Sequence, residues 1–145
     1  MNDMKKTAII SISGTQVFQD EKPETIQLVT EGAYSYEPGY IVISYVETQM
    51  TGMEGVVTSF TIEEGETVTL ERVGKVNSTM VFRLGEKHES LYDAGFAGLL
   101  IGVCARSMTV LLNERGGLFD LSYTVEIEGQ NCGTNSYHIE VREAT

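Results

Sequence analysis

The segment "GLFDLSYTVEIEG", residues 117–129, constrains the fold more than any other part of the chain. Phe119, Leu121, Tyr123, Val125 and Ile127 occupy alternate positions, and Asp120, Ser122, Thr124, Glu126 and Glu128 fill the gaps. Side chains of an extended strand alternate between two faces, so this period makes one face apolar and the other wet. A helix would scatter the same residues around its axis and bury charge. "SYHIEVRE" repeats the pattern, with Tyr137, Ile139 and Val141 inward and His138, Glu140 and Arg142 outward.

Turn signals cut most of the remaining chain into pieces of strand length. "TIQLVTEGAYSY", "YIVISYVETQM", "VVTSFTIE", "TVTLERV" and "TMVFRL" are rich in β-branched and aromatic residues. "EPG", "MEG", "EEGE" and "GKVNS" separate them. "GLLIGVCARSMTVLLN" is long enough for one bent strand or two, and "HESLYDAGFAGLL" has room for one helical turn at most. Some nine or ten strands on hairpin-length loops favour an up-and-down antiparallel barrel, which removes exposed edges by closure. A two-sheet sandwich is the alternative. Gly14, Gly32 and Gly102 interrupt strand-like runs and suit bends at barrel corners. The expectation is an all-β chain with one domain over residues 1–145, its core over about 6–142. The barrel is closed or nearly closed and antiparallel, with about eight to ten strands.

Charge and cysteine usage narrow the partners. Ten Lys and Arg against 21 Asp and Glu give a net charge of −11. Such a balance repels phosphate backbones and anionic membranes, and the sole basic cluster is Lys5–Lys6. Neither nucleic acid nor a membrane is therefore an expected partner. No apolar run reaches the roughly 18 residues of a membrane-spanning helix, and the opening residues lack a signal-peptide core, so a cytoplasmic location is expected. Cys104 and Cys132 follow no metal-ligand spacing. Cys104 sits in an apolar strand pattern and reads as a small core residue, whereas Cys132 lies in the turn "GQNCGTN".

Catalytic and cofactor signatures are absent. His88 and His138 have no neighbouring ligand at zinc spacing. No "GxSxG" or "GxxxxGK[ST]" occurs, and "GFAGLLIG" lacks the lysine and strand–turn–helix context of a phosphate loop. No cofactor and no metal site are expected.

One residue breaks the pattern. In "VTLERVG", Val68, Leu70 and Arg72 share a face. A buried guanidinium costs several kcal/mol unless oxygens receive its five donors. Glu47 shares a face with Ile41, Ile43 and Tyr45 and is the candidate carboxylate. Tyr45, Tyr92, Tyr123 and Tyr137 are candidate sources of hydroxyls. The network is either structural, fixing strand register, or the anchor of a small-ligand site.

"SYVETQMTG", "VTLERVGKVNSTMVFRLG" and "YDAGFAGLLIG" resemble the YwiB-like proteins, a bacterial family with a domain of unknown function. The resemblance runs from about Lys6 to Arg142. Its most specific part is an arginine–glycine signature in a strand, matched by Arg72 and Gly74, followed by Phe82, Tyr92 and Gly98. It implies a calycin-like, lipocalin-type β-barrel and no particular activity. Where the family has polar residues or glycine, this chain has Ala94, Ala97 and "VCARSM", which implies a less polar interior.

The functional expectation is a small polar or anionic ligand bound in the barrel by Arg72, Glu47, Tyr45, Tyr92 and Tyr123. The alternative is a solid-core barrel acting as a protein-interaction or self-associating module, which docks a partner or a second copy of the chain. A weaker alternative is a hydrolase or isomerase using Glu47 as base.

Overall fold

The computed structural model describes residues 5–18, 21–93 and 98–144, and of residues 92 and 93 the backbone alone. Ten strands carry the fold: β1 (Lys5–Phe18), β2 (Glu24–Glu37), β3 (Tyr40–Val46), β4 (Val57–Glu63), β5 (Thr67–Val73), β6 (Ser78–Phe82), β7 (Lys87–Asp93), β8 (Gly98–Asn113), β9 (Gly116–Ile127) and β10 (Gln130–Glu143). A single 3-10 turn, Gln49–Thr51, lies in the loop between β3 and β4. No described helix is long and apolar enough to cross a membrane.

The strands form one antiparallel sheet in the order β6-β5-β4-β3-β2-β1-β10-β9-β8-β7. All but one of its ladders join strands consecutive in sequence; the exception is β1 with β10, which pairs Ala8 with Glu143 and Phe18 with Gly133. The sheet curls until its ends meet. Leu84 bridges Ala105 in parallel, and the Gly85 amide donates to the Ala105 carbonyl at 3.0 Å. The result is the nearly closed barrel expected from short loops and many strands.

Period-two patterning explains which faces are inside. β9 buries Phe119, Leu121 and Tyr123, and β10 buries Ile139 and Val141. β1 follows the same rule, with Ala8, Ile10 and Ile12 buried and the half-buried Ile9 and Ser11 between them. Across the core, Phe60 meets Phe119 edge-on at 5.9 Å and Tyr137 at 5.4 Å. Burying each large apolar side chain contributes about 1.5–3 kcal/mol.

The segment read as one bent strand or two is one strand, β8, with a bulge at Arg106 between the pairs Ala105–Tyr123 and Ser107–Ser122. The extra residue bends the strand without ending it. Cys104 departs from expectation: it is half-buried, between Lys87 and Thr124 on the neighbouring strands, while Val103 and Ala105 fill the core. The first part of "HESLYDAGFAGLL" is strand β7; residues 94–97, with Ala94 and Ala97, lie outside the described residues.

Candidate functional site

Cross-strand register builds a polar row inside an otherwise apolar wall. Tyr45 pairs with Thr58, Thr58 with Arg72, and Arg72 with Ser78, across β3, β4, β5 and β6. All four side chains are buried. Glu47 follows β3 by one residue and stays on the Tyr45 face, since its amide donates to the Val56 carbonyl at 2.8 Å and continues the ladder briefly.

Arg72 is 8% exposed and Glu47 is 4% exposed. The Glu47 carboxylate accepts from the Thr58 hydroxyl at 2.6 Å and from the Thr51 hydroxyl at 2.9 Å. Arg72 Nε stands 4.0 Å from Glu47 Oε2, an ion pair without a hydrogen bond. Arg72 Nη2 donates to the Tyr137 hydroxyl at 2.9 Å. Among the described residues this is its one side-chain hydrogen bond, and the buried Nε and Ser78 Oγ have no partner. Burial works against the Arg72 cation, but the oxygens of Tyr137, Tyr123 and Tyr45 outweigh it and hold its pKa above the ordinary value. Arg72 is therefore charged at every working pH.

A cavity of about 280 Å³ opens beside this guanidinium. Tyr45, Glu47, Arg72 and Tyr137 supply its polar side; Ile12, Leu28, Met53 and Met80 supply apolar wall. The volume approaches the roughly 300 Å³ lower end of ligand pockets. Its depth is set along the β1–β2 ladder, where the pairs Ile12–Leu28, Gly14–Ile26 and Gln16–Glu24 step from core to surface. Gly14 pairs with Tyr137 on its other side, and a methyl group there would stand 3.6 Å from the tyrosine ring.

Arg72, Glu47 and Tyr45 thus share one cavity wall. Tyr123 stands outside the lining: its ring stacks 6.4 Å from Tyr137 and lies tilted 4.5 Å from Phe82, and its hydroxyl accepts from Asn135 at 3.3 Å. Burial, and then Tyr137, push its pKa upward; burial and then Glu47 do the same to Tyr45, so both stay hydroxyls. The backbone of Tyr92 pairs with Leu99, and its side chain lies outside the described residues. Tyr137 is the partner that sequence reasoning left outside the chosen set. Its inward position was legible from alternation, but its place opposite β5 follows from barrel closure. Thr58 shares a face with Phe60 and Ile62 and was open to the same alternation reading as Arg72, whereas Thr51, in the loop, carried no local signal.

The arginine–glycine signature now has a physical account. Gly74 has φ +147°, and a Cβ there would lie 3.2 Å from Val56 Cα. Val56 is the residue whose carbonyl receives the Glu47 amide. Arg72 and Gly74 therefore hold the same β3–β4 loop, one by charge and one by close backbone approach.

Comparison with known proteins agrees with this architecture. The crystal structure of the ywiB protein from Bacillus subtilis superposes with a TM-score of 0.79 at 20% identity, covering 98% of this chain and 94% of that one. At that identity the likeness speaks for the fold alone. No curated protein matches. A family model described as "Domain of unknown function (DUF1934)" matches residues 10–139, a span that contains every cavity residue named above. The chain therefore belongs to the DUF1934 family, a domain of unknown function carried on a ten-stranded barrel.

Proposed function

We propose that this barrel is a binding protein for a small polar or anionic organic molecule held against Arg72. The observation that carries the reading is the guanidinium itself: nine-tenths buried, lining an open cavity, with one side-chain hydrogen bond among the described residues for its five donors. Leaving a buried charged donor unmatched costs more than about 1–3 kcal/mol, so a site that persists this way favours a ligand that supplies the oxygens. The calycin-like class implied by the sequence resemblance suits that role, and so does a cytoplasmic location. A solid-core interaction module fits less well, because the interior retains its cavity. Glu47 is poorly placed as a general base, because two hydroxyls already occupy its oxygens.

The test is a thermal-shift screen of small hydrophilic acids, amides and polyols against the wild-type chain and Arg72→Leu. The expected result is at least one compound that raises the wild-type Tm in a concentration-dependent way and fails to do so in the variant. Shifts of equal size in both chains overturn the reading. Light scattering on the same samples checks the self-association alternative: a monomer at all concentrations removes it.

A further inference from the structure

Resting on that reading, we infer that the ligand class is a monocarboxylic acid of about ten heavy atoms in all, bound with its head inward on Arg72 and its apolar skeleton toward the mouth.

The headgroup follows from the donors. A guanidinium offers five N–H groups in a plane, and the described contacts use one of them, toward Tyr137. A planar carboxylate matches two parallel donors of that fork, which a hydroxyl or an amide cannot do. The Tyr137 hydroxyl accepts from Arg72 and keeps its own hydrogen to donate to the same head. Desolvation favours a head with a single negative charge. Glu47 lies 4.0 Å from Arg72 Nε and leaves the pair without net charge, so taking a dianionic phosphate out of water there costs more than taking a carboxylate.

The skeleton follows from the walls. Ile12, Ile26, Leu28, Met53 and Met80 line the passage outward from Arg72. Exposure rises along it, from Ile12 to Ile26 and then to Glu24 at the rim. The Glu24 carboxylate at that rim disfavours an anionic head left at the mouth, which fixes the orientation. An apolar cavity of about 150 Å³ holds benzene, so the present volume suits roughly eleven heavy atoms.

Isothermal titration calorimetry with octanoate, octanamide, 1-octanol and octyl phosphate, each below its micelle concentration, tests the assignment. Octanoate should bind about tenfold or more tightly than the three others. Arg72→Leu should bring octanoate down to the level of octanol. Gly14→Leu provides the control that leaves the guanidinium in place: its backbone is unstrained, its Cβ makes ordinary contacts, and its side chain fills the cavity. That variant should keep its Tm and lose octanoate binding. Octanamide or octanol binding as well as octanoate overturns the headgroup assignment and leaves cavity binding standing. Octanoate binding that survives Gly14→Leu is surface binding and overturns the inference. No binding by any of the four also overturns it, and the hydrophilic screen then decides the broader reading separately.

Discussion

Glu47→Gln is the sharpest perturbation of this interior, because it removes a charge and almost no volume. At 4.0 Å the attraction to Arg72 is worth about 4 kcal/mol at an effective dielectric of 20. The Thr58 and Thr51 hydroxyls donate to a charged acceptor, and each such bond weakens when the acceptor becomes a neutral amide. Relief of the carboxylate's own desolvation offsets part of this loss. The net expectation is destabilisation by about 3 kcal/mol, at the low end for breaking one side of a buried pair. Arg72→Met should cost a similar amount. The double variant should cost less than the two single changes together by at least about 1.5 kcal/mol, since neither charge is then left alone. Urea denaturation of all four chains, with unchanged m-values, measures each term. Additivity within about 0.5 kcal/mol would show that the two residues do not sense each other, and the ion-pair account of the site would be wrong.

Three further outcomes follow from the same geometry. Tyr137→Phe removes the acceptor for Arg72 Nη2 and should cost about 1.5–3 kcal/mol in denaturant; a loss below about 0.5 kcal/mol would mean water replaces it freely. Gly74→Ala forces a side chain into φ +147° and against Val56, so its chemical midpoint should fall by the equivalent of about 1–3 kcal/mol, and wild-type stability would contradict the close-approach account. His138 lies between Glu140 at 2.9 Å and Asp120 at 2.5 Å, and hydrogen bonds to those two carboxylates raise its pKa above the ordinary value. The folded state then binds the proton more tightly. Its stabilisation, less than about 1 kcal/mol for so exposed a cluster, is complete below the unfolded pKa and lost as pH rises through the folded one. His138→Gln should flatten the fall in stability as pH rises above the ordinary histidine value; an unchanged pH profile would refute this.

Legibility from sequence followed the range of the physics involved. Alternation is local, so the inward faces of β9 and β10 were readable from single segments, and the oddity of Arg72 stood out against Val68 and Leu70. The direction of Glu47 was readable too, because it continues the Tyr45 face across one hydrogen bond. The Arg72–Tyr137 contact joins β5 to β10, which are far apart in the chain and in the sheet order. Only closure brings them together, and no local pattern encodes it. Tyr123 shows the complementary limit: it is inward as alternation requires, yet its neighbour Tyr137 lines the cavity and it does not. Cys104 looked like core because its neighbours are apolar, but period two sends it outward between two core residues.

The ladder between β1 and β10 has a consequence for how the chain reaches this shape. Strands β1–β6 and β7–β10 are two meanders that can each zip up from adjacent hairpins, with short loops and little entropy to lose. The Leu84–Ala105 bridge joins them on one side, but the long ladder on the other depends on residues more than a hundred positions apart, as Ala8 with Glu143 illustrates. During synthesis, β1 must wait with one edge unpaired until the final strand has emerged. Docking of two preformed arms, rather than growth from one nucleus, is then the slow step, and the interval before it is when an exposed β1 edge is open to pairing with another chain.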